Sequence, residues 1–337
     1  MREILVTGGC GYIGSHTCAN LADSETRVII IDNLINSDIR VLDRIQSISR
    51  CEIVFYKCDI RDKNELRKVF SKHSIDAVIH FAALKSVADS INSALEYYDN
   101  NVNGTIVLLN VMEEYNCKKI IFSSSATVYG KPKNLPIKED FPISATNPYG
   151  YSKIFIEQIL EDLYKSDQLW RIAILRYFNP IGAHKSGLIG ENPSGIPSNI
   201  VPFITQVLVG RLPKLKIFGS DYDTKDGTGV RDYIHVMDLA DGHIKALEYL
   251  NNNSELLTLN LGTGEGYSVL DLVNMFENIS GQKIPYIFCD RRKGDIDKSF
   301  TDPQKAQNKI LWKCRFGLED MCRDSLNWQN KNPNGFS

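Results

Sequence analysis

The sequence predicts an α/β fold, a doubly wound parallel sheet with a smaller mixed α/β carboxyl-terminal domain. Three observations predict it. Short β-branched runs alternate with helical stretches from the first residues onward, as strands joined by crossover helices do. Several runs are apolar on both faces, as strands covered on both sides must be. After Tyr177 the texture changes to a stretch rich in Gly, Pro and Asn.

Strands are expected at residues 4–7, 27–31, 53–57, 77–80, 119–123 and 171–176, with helices among them at 63–71, 100–115 and 149–164. Residues 179–228 read as excursions from that scaffold, with one clear helix near 201–209. Strand-like runs return at 231–234 and 256–261, where they are placed to rejoin the first sheet. Two interleaved domains follow: residues 1–178 with about 231–262, and residues 179–230 with about 263–337. The end, 330–337, reads as frayed.

Composition narrows the function. A length of 337 residues suits two domains or one large α/β unit. Lys and Arg number 39 against 41 Asp and Glu, a formal charge of −2. That balance argues against nucleic acid as the partner and against a membrane held by a basic stretch. No window reaches the roughly 18 uncharged apolar residues of a spanning helix. The opening MREILVTGG reads as a strand rather than a signal peptide, so a cytoplasmic location is expected. The eight cysteines, at 10, 18, 51, 58, 117, 289, 314 and 322, include no Cys-x-x-Cys pair and read as reduced thiols. No two of the six histidines stand three or four residues apart, so no metal is expected.

The first chemical signal is Thr7-Gly8-Gly9-Cys10-Gly11-Tyr12-Ile13-Gly14, between a strand and a helix. Gly9, Gly11 and Gly14 satisfy G-x-G-x-x-G, and Gly8, Gly11 and Gly14 repeat every three residues. Glycines let the backbone approach a pyrophosphate, and the helix amino terminus offers unpaired N–H groups. Such a turn often serves packing alone, but Asp32 ends the second strand, 18 residues after Gly14. A carboxylate there accepts ribose hydroxyls and repels a 2′-phosphate, which favours NAD over NADP. Two roles stay open for Asp59 at the end of the third strand: reaching the adenine, or capping the next helix, which Asp62 would also do.

The second signal is Tyr149-Gly150-Tyr151-Ser152-Lys153 at a helix start. Tyr149 and Lys153, four apart, share one face. A phenol is a poor base at neutral pH until an ammonium stabilises its phenolate. Such a pair is commonplace on surfaces; its weight comes from Ser123-Ser124-Ser125, at the strand end where open α/β sheets place their ligand crevice. There Ser125 can relay a proton to Tyr149.

These residues resemble the extended short-chain dehydrogenase/reductase superfamily and, within it, the UDP-glucose 4-epimerase family. The carrying stretches are TGGCGYIGSHT, IIDNL, VIHFAALK, YYDNNVNGT, IFSSSATVYG, PYGYSK, LRYFNPIGAH, IFGSDYDTKDGTGVRDYIHVMDLADGH and RRKGD, spread over residues 4–295. The resemblance implies an NAD-binding Rossmann domain and a UDP-sugar-binding domain. Implied cofactor contacts, besides the turn glycines Gly8, Gly11 and Gly14, are Tyr12, Ile13, Asp32, Asn33, Asp59, Ile60, Phe81, Ala82, Lys85, Asn100, Lys153 and Tyr177 or Phe178. Tyr149 matches the catalytic base, with Ser125 beside it. Ser125, Ala126, Thr127, Asn179, Asn199, Ile200, Lys216, Phe218, Arg231, Arg292 and Asp295 are implied for the UDP-sugar, two arginine forks suiting a pyrophosphate. Ser299 matches the position lining the sugar's C2 side, where members limited to glucose and galactose carry a tyrosine and members with a small residue also accept 2-acetamido sugars.

The implied reaction interconverts UDP-galactose and UDP-glucose through a 4-keto sugar, with NAD kept bound. The implied assembly is a homodimer through a four-helix interface built from residues 100–115 and 149–164. Three alternatives are weighed. A 4,6-dehydratase places an acid and a base directly after the strand-end hydroxyl, where this chain has Ala126-Thr127-Val128. A pentose 4-epimerase of the same superfamily is the second alternative. A silent NAD-binding regulator would have lost the tyrosine, and Tyr149 is intact.

Overall fold

Runs of Ile and Val such as Val28-Ile29-Ile30-Ile31 favour extended backbone and bury side chains on both faces. In the computed structural model they become β1 (Arg2–Thr7), β2 (Thr26–Asp32), β3 (Ile53–Lys57), β4 (Ile75–His80), β5 (Lys119–Ser125) and β6 (Arg171–Tyr177). Residues 2–21, 26–49, 52–292 and 294–336 are described; Cys51, Lys293 and Ser337 lie outside them. The later strands are β7 (Asn179–Ile181), β8 (Leu215–Phe218), β9 (Val230–Arg231), β10 (Tyr233–His235), β11 (Leu256–Leu261), β12 (Tyr267–Ser268), β13 (Tyr286–Cys289) and β14 (Lys298–Ser299).

The main sheet has seven strands in the order β11-β6-β5-β4-β1-β2-β3, every pairing parallel. Ile4, Val6, Val28 and Ile30 pack on one face with the helices Tyr12–Leu21, Val41–Ile48 and Val236–Asn252. Leu5, Ile29 and Ile31 pack on the other with Lys63–Lys72, Gly104–Glu114 and Pro148–Ser166. The winding reverses between β1 and β4, which opens a crevice at their carboxyl ends. A second core gathers Ile181, Val201, Ile204, Leu215, Ile217, Phe276 and Met321 from the excursions and the carboxyl-terminal helices.

Three expectations are corrected. Residues 256–261 rejoin the main sheet as β11, but 231–234 do not. That run splits: β9 pairs with β12 and β14, and β10 pairs with β7. The break falls at Asp232, a buried carboxylate that accepts from Thr263 N and Oγ1, Gly264 N and Thr301 N at 2.7–3.1 Å and so knots three segments together. The helix expected over 100–115 begins instead as a wide π-type stretch, Tyr98–Asn103, before Gly104–Glu114 turns α-helical. Buried Asn101 bonds both polar groups of the Leu84 backbone and the Ser152 hydroxyl there, at 2.8–3.1 Å. The end is not frayed either. Asn332 donates to Gly187 O and Trp328 O, each at 2.9 Å, and accepts from Arg44. Phe336 is buried with its ring 4.9 Å from that of Trp328. Polar residues dominate this tail, so its anchoring is not visible in its composition.

No helix among the described residues is long and apolar enough to cross a membrane. No group of three or more His, Cys, Asp or Glu among them is placed to hold a metal ion.

Candidate active site

The glycine turn closes where β1 ends. Gly8 has φ +67°, and a Cβ there would lie 2.8 Å from Ala82 N on the neighbouring strand's extension. At Gly14 a Cβ would lie 2.3 Å from Gly8 O. The turn is therefore a cradle that side chains would fill, and it opens directly into the helix Tyr12–Leu21. A dinucleotide's phosphates fit such a cradle, because close backbone approach and a helix amino terminus meet there.

Around it lies a cleft of about 590 Å³, within the usual range of ligand sites. It is lined by Gly8, Gly11, Tyr12, Ile13, Gly14, Asp32, Asn33, Ile60, Phe81, Ala82, Lys85, Asn100, Ser125, Thr127, Tyr149, Lys153, Tyr177, Phe178 and Asn199, all predicted from the sequence. Asp32 is buried and already committed in part. Oδ1 accepts from Leu34 N and Ser37 Oγ, Oδ2 from Cys10 N. With two lone pairs per oxygen, one acceptor direction stays open on Oδ2.

Asp59 does not line the cleft. It accepts from Asn33 Nδ2 at 3.0 Å and from Arg61, whose guanidinium holds its carboxyl well below the usual range. The helix cap that was its other expected role belongs to Asp62, which accepts from Asn64 N and Glu65 N.

Asn147 caps the next site helix, with Pro148 at its first position, so Tyr149 stands in the first turn and Lys153 one turn later. Both are buried, with Ser125, to 8% exposure or less. Burial raises the Tyr149 hydroxyl to about 12, against the pull of its hydrogen bond with Ser125. Burial lowers Lys153 to about 7, against the pull of Glu157. Lys153 Nζ donates to Ser123 O at 2.8 Å and lies 5.9 Å from the Tyr149 ring centre. Tyr177 Oη meets Ser123 Oγ at 2.6 Å. Serine, tyrosine and lysine thus converge at the carboxyl end of β5, an arrangement able to move a proton to and from a substrate hydroxyl.

The predicted substrate residues form a second group. Arg292 lies over the Phe218 ring at 5.0 Å and pairs with Asp295 at 3.0 Å. Lys216 and Phe218 stand on β8; Arg231 on β9 pairs in register with Ser299 on β14. Ser299 is buried rather than part of a surface loop. Ala126, Asn179 and Ile200 do not line the cleft. Ala126 opens the short turn after Ser125, Asn179 begins β7, and Ile200 starts the helix Ile200–Leu208. Asn199 belongs to the cleft wall, donating to Glu191 Oε1 at 2.6 Å.

Sequence reasoning missed Glu191, Phe336 and Tyr97 on the cleft wall. It also missed the buried pair behind Lys153, in which Arg176 Nη2 reaches Glu157 Oε2 at 2.6 Å. The available signal for the pair was Glu157 itself, four residues after Lys153 on an otherwise apolar face.

Comparison with known proteins decides the lineage. A family model described as GDP-mannose 4,6 dehydratase matches residues 5–325. A UDP-glucose 4-epimerase of Bacillus subtilis is 55% identical over 333 residues, 99% of this chain and 98% of that protein. The crystal structure of UDP-glucose 4-epimerase from Bifidobacterium longum in complex with NAD+ and UDP superposes with a TM-score of 0.96. Its identity is 50%, covering 99% of this chain and 100% of that one. This chain belongs to the UDP-glucose 4-epimerase family. The UDP-Glc/GlcNAc 4-epimerase of Campylobacter jejuni is a further member, at TM-score 0.84 and 33% identity over 98% of this chain and 100% of that one. As an epimerase-family member the chain keeps no carboxyl group in the turn Ala126–Tyr129, where a dehydratase would need one. The family's tyrosine, serine and lysine all stand at the cleft.

Proposed function

We propose that this protein interconverts UDP-galactose and UDP-glucose with tightly bound NAD, in galactose metabolism. The observation that carries the reading is the convergence of Ser125, Tyr149 and Lys153 beside the glycine cradle. NAD, when bound, takes the hydride from sugar C4 and later returns it. Tyr149 as phenolate removes the 4-hydroxyl proton, Ser125 relays it, and Lys153 keeps the phenolate stable. The loss of proton and hydride leaves a 4-keto sugar. It turns about its link to the diphosphate and receives hydride and proton on the opposite face, so the cycle is redox-neutral. Arg231, Arg292 and Asp295, with Lys216, Phe218, Asn179, Asn199 and Ile200, are assigned to the UDP anchor, Ala126 and Thr127 to the sugar, and Asp59 to the adenosine end.

We assign the two interleaved lobes to NAD and to UDP-sugar. A homodimer through the helices around residues 100–115 and 149–164 is supported by exposed Ile106, Tyr151 and Phe155 on those helices; a single-chain mass in solution would refute it. A cytoplasmic setting agrees with the seven described cysteines, none in a disulfide.

The test is turnover without added cofactor. Purified protein is expected to convert UDP-galactose to UDP-glucose, and denaturing it to release NAD. Protein stripped of cofactor should be reactivated by NAD and hardly by NADP, because Asp32 offers the ribose an acceptor and a 2′-phosphate only repulsion. Equal reactivation removes that role from Asp32; no turnover removes the reaction.

Ser299 extends the substrate range. Buried beside Arg231, it is small where a tyrosine would add an aromatic ring. Forcing bulk into a packed site costs roughly 1–3 kcal/mol, about five- to 150-fold in rate. Interconversion of UDP-N-acetylglucosamine and UDP-N-acetylgalactosamine is expected from the wild type. Ser299→Tyr should abolish it and spare the glucose reaction. A wild type inert to UDP-N-acetylgalactosamine while UDP-galactose reacts freely sinks the idea.

A further inference from the structure

We propose that Glu157 is a positioning residue of this site, holding Lys153 as its ammonium and locking the end of β5 against Tyr149. The inference rests on the epimerase reading above. The helix Pro148–Ser166 sets Tyr149, Lys153 and Glu157 at four-residue steps on one face, and Glu157 is 2% exposed. A lone buried carboxylate would be costly; this one is gripped on two sides. Arg176 Nε and Nη2 donate to it at 2.6–3.1 Å, and so does the Ser124 hydroxyl. Arg176 passes the grip on, donating to Tyr129 Oη at 3.0 Å and to Glu139 O at 3.1 Å. One carboxylate therefore ties the site helix to β5, to β6 and to the turn that follows Ser125.

The tie lands on the middle of three serines. Ser123 O accepts the Lys153 ammonium, and the Ser125 hydroxyl bonds Tyr149. Ser124, between them, points the opposite way along the pleat and is held by Glu157. Displacing Glu157 would move both functional neighbours together.

Charge adds a second effect. Lys153 faces Tyr149 and Glu157 on its own helix, His80 from β4 and the Phe122 ring from β5; from β6, Arg176 binds Glu157 and Tyr177 faces Tyr149. Tyr97 faces Tyr149 from the neighbouring short helix. His80 is buried and held neutral, its pKa pushed down to about 3. The anion in this set is Glu157, which opposes the burial that strips Lys153 of its proton. With that charge removed, Lys153 gives up its proton at lower pH, so the ammonium that a Tyr149 phenolate needs is lost from the alkaline side.

The test uses Glu157→Gln holoenzyme, and the double variant Glu157→Met with Arg176→Met in case a stranded guanidinium prevents folding. Carbon-13 lysine labelling, with Lys153→Arg for assignment, reads the Lys153 titration by NMR without any turnover. Its midpoint should fall by about one pH unit in either folded variant. The alkaline limb of kcat for UDP-galactose should move with it, so kcat drops about tenfold near pH 9 but only about threefold near pH 6.5, at similar KM. An unmoved midpoint, or a loss of kcat equal at every pH, overturns the proposal and leaves Glu157 a packing residue. A shifted midpoint in protein that turns over no UDP-galactose overturns only the epimerase reading.

Discussion

Tyr149→Phe is expected to lower kcat by about 10²–10⁴-fold while the fold and the bound NAD persist. The phenyl ring fills the same buried place in the first turn of the helix, so packing is preserved. What disappears is the hydroxyl bonded to Ser125 at the carboxyl end of β5. Ser125 remains, but an aliphatic hydroxyl next to no base is a far weaker proton acceptor. The loss should fall on kcat with KM little changed, since the UDP anchor lies on other elements. NAD released on denaturation and the thermal midpoint serve as controls. A variant keeping more than about a tenth of wild-type kcat would place the base elsewhere, with Ser125 the first candidate.

Gly14→Ala should empty the cofactor site. The added Cβ would sit 2.3 Å from Gly8 O and 2.9 Å from Gly9 Cα, backbone atoms that cannot swing aside. The turn must open, and the cradle shape goes with it. Bound NAD should fall from near one per chain to less than about a tenth, with roughly 1–3 kcal/mol of stability lost to overpacking. Gly11→Ala is the graded control, because its Cβ would meet Gly8 O at the softer distance of 3.2 Å. If Gly14→Ala retains full NAD, the turn does not hold the pyrophosphate.

Much of this site was legible because the sheet puts chemistry at strand ends. Thr7, Asp32, Ser125 and Tyr177 each end a strand, and a strand end can be read from where its apolar run stops. The Tyr149–Lys153 spacing was legible because helical periodicity is local. What escaped depends on long-range pairing. Arg176 meets Glu157 across 19 residues, and Arg44 meets Asn332 across 288; the spacing of Glu157 from Lys153 is local, but nothing local names either partner. Residues 231–234 look like one short strand-like run, yet the carboxylate of Asp232 is consumed by two other segments and divides the run between two sheets. The family resemblance reached Arg292 and Asp295, which local reasoning alone leaves as an ordinary surface ion pair.

The late arrival of β11 limits how this protein can be recombined. The edge strand that completes the main sheet follows β6 only after 78 intervening residues (178–255), in which the chain builds β7 to β10 and the helix Val236–Asn252. Chain then leaves again for β12 to β14. A chimera joined at one crossover between β6 and β11 would set one parent's edge strand against the other parent's sheet, and split the second core between two ancestries. Exchange of substrate preference between relatives therefore calls for moving two separate segments as a matched set, with β11 and its helix kept native. Single-cassette libraries of this scaffold should return mostly chains that fail to fold.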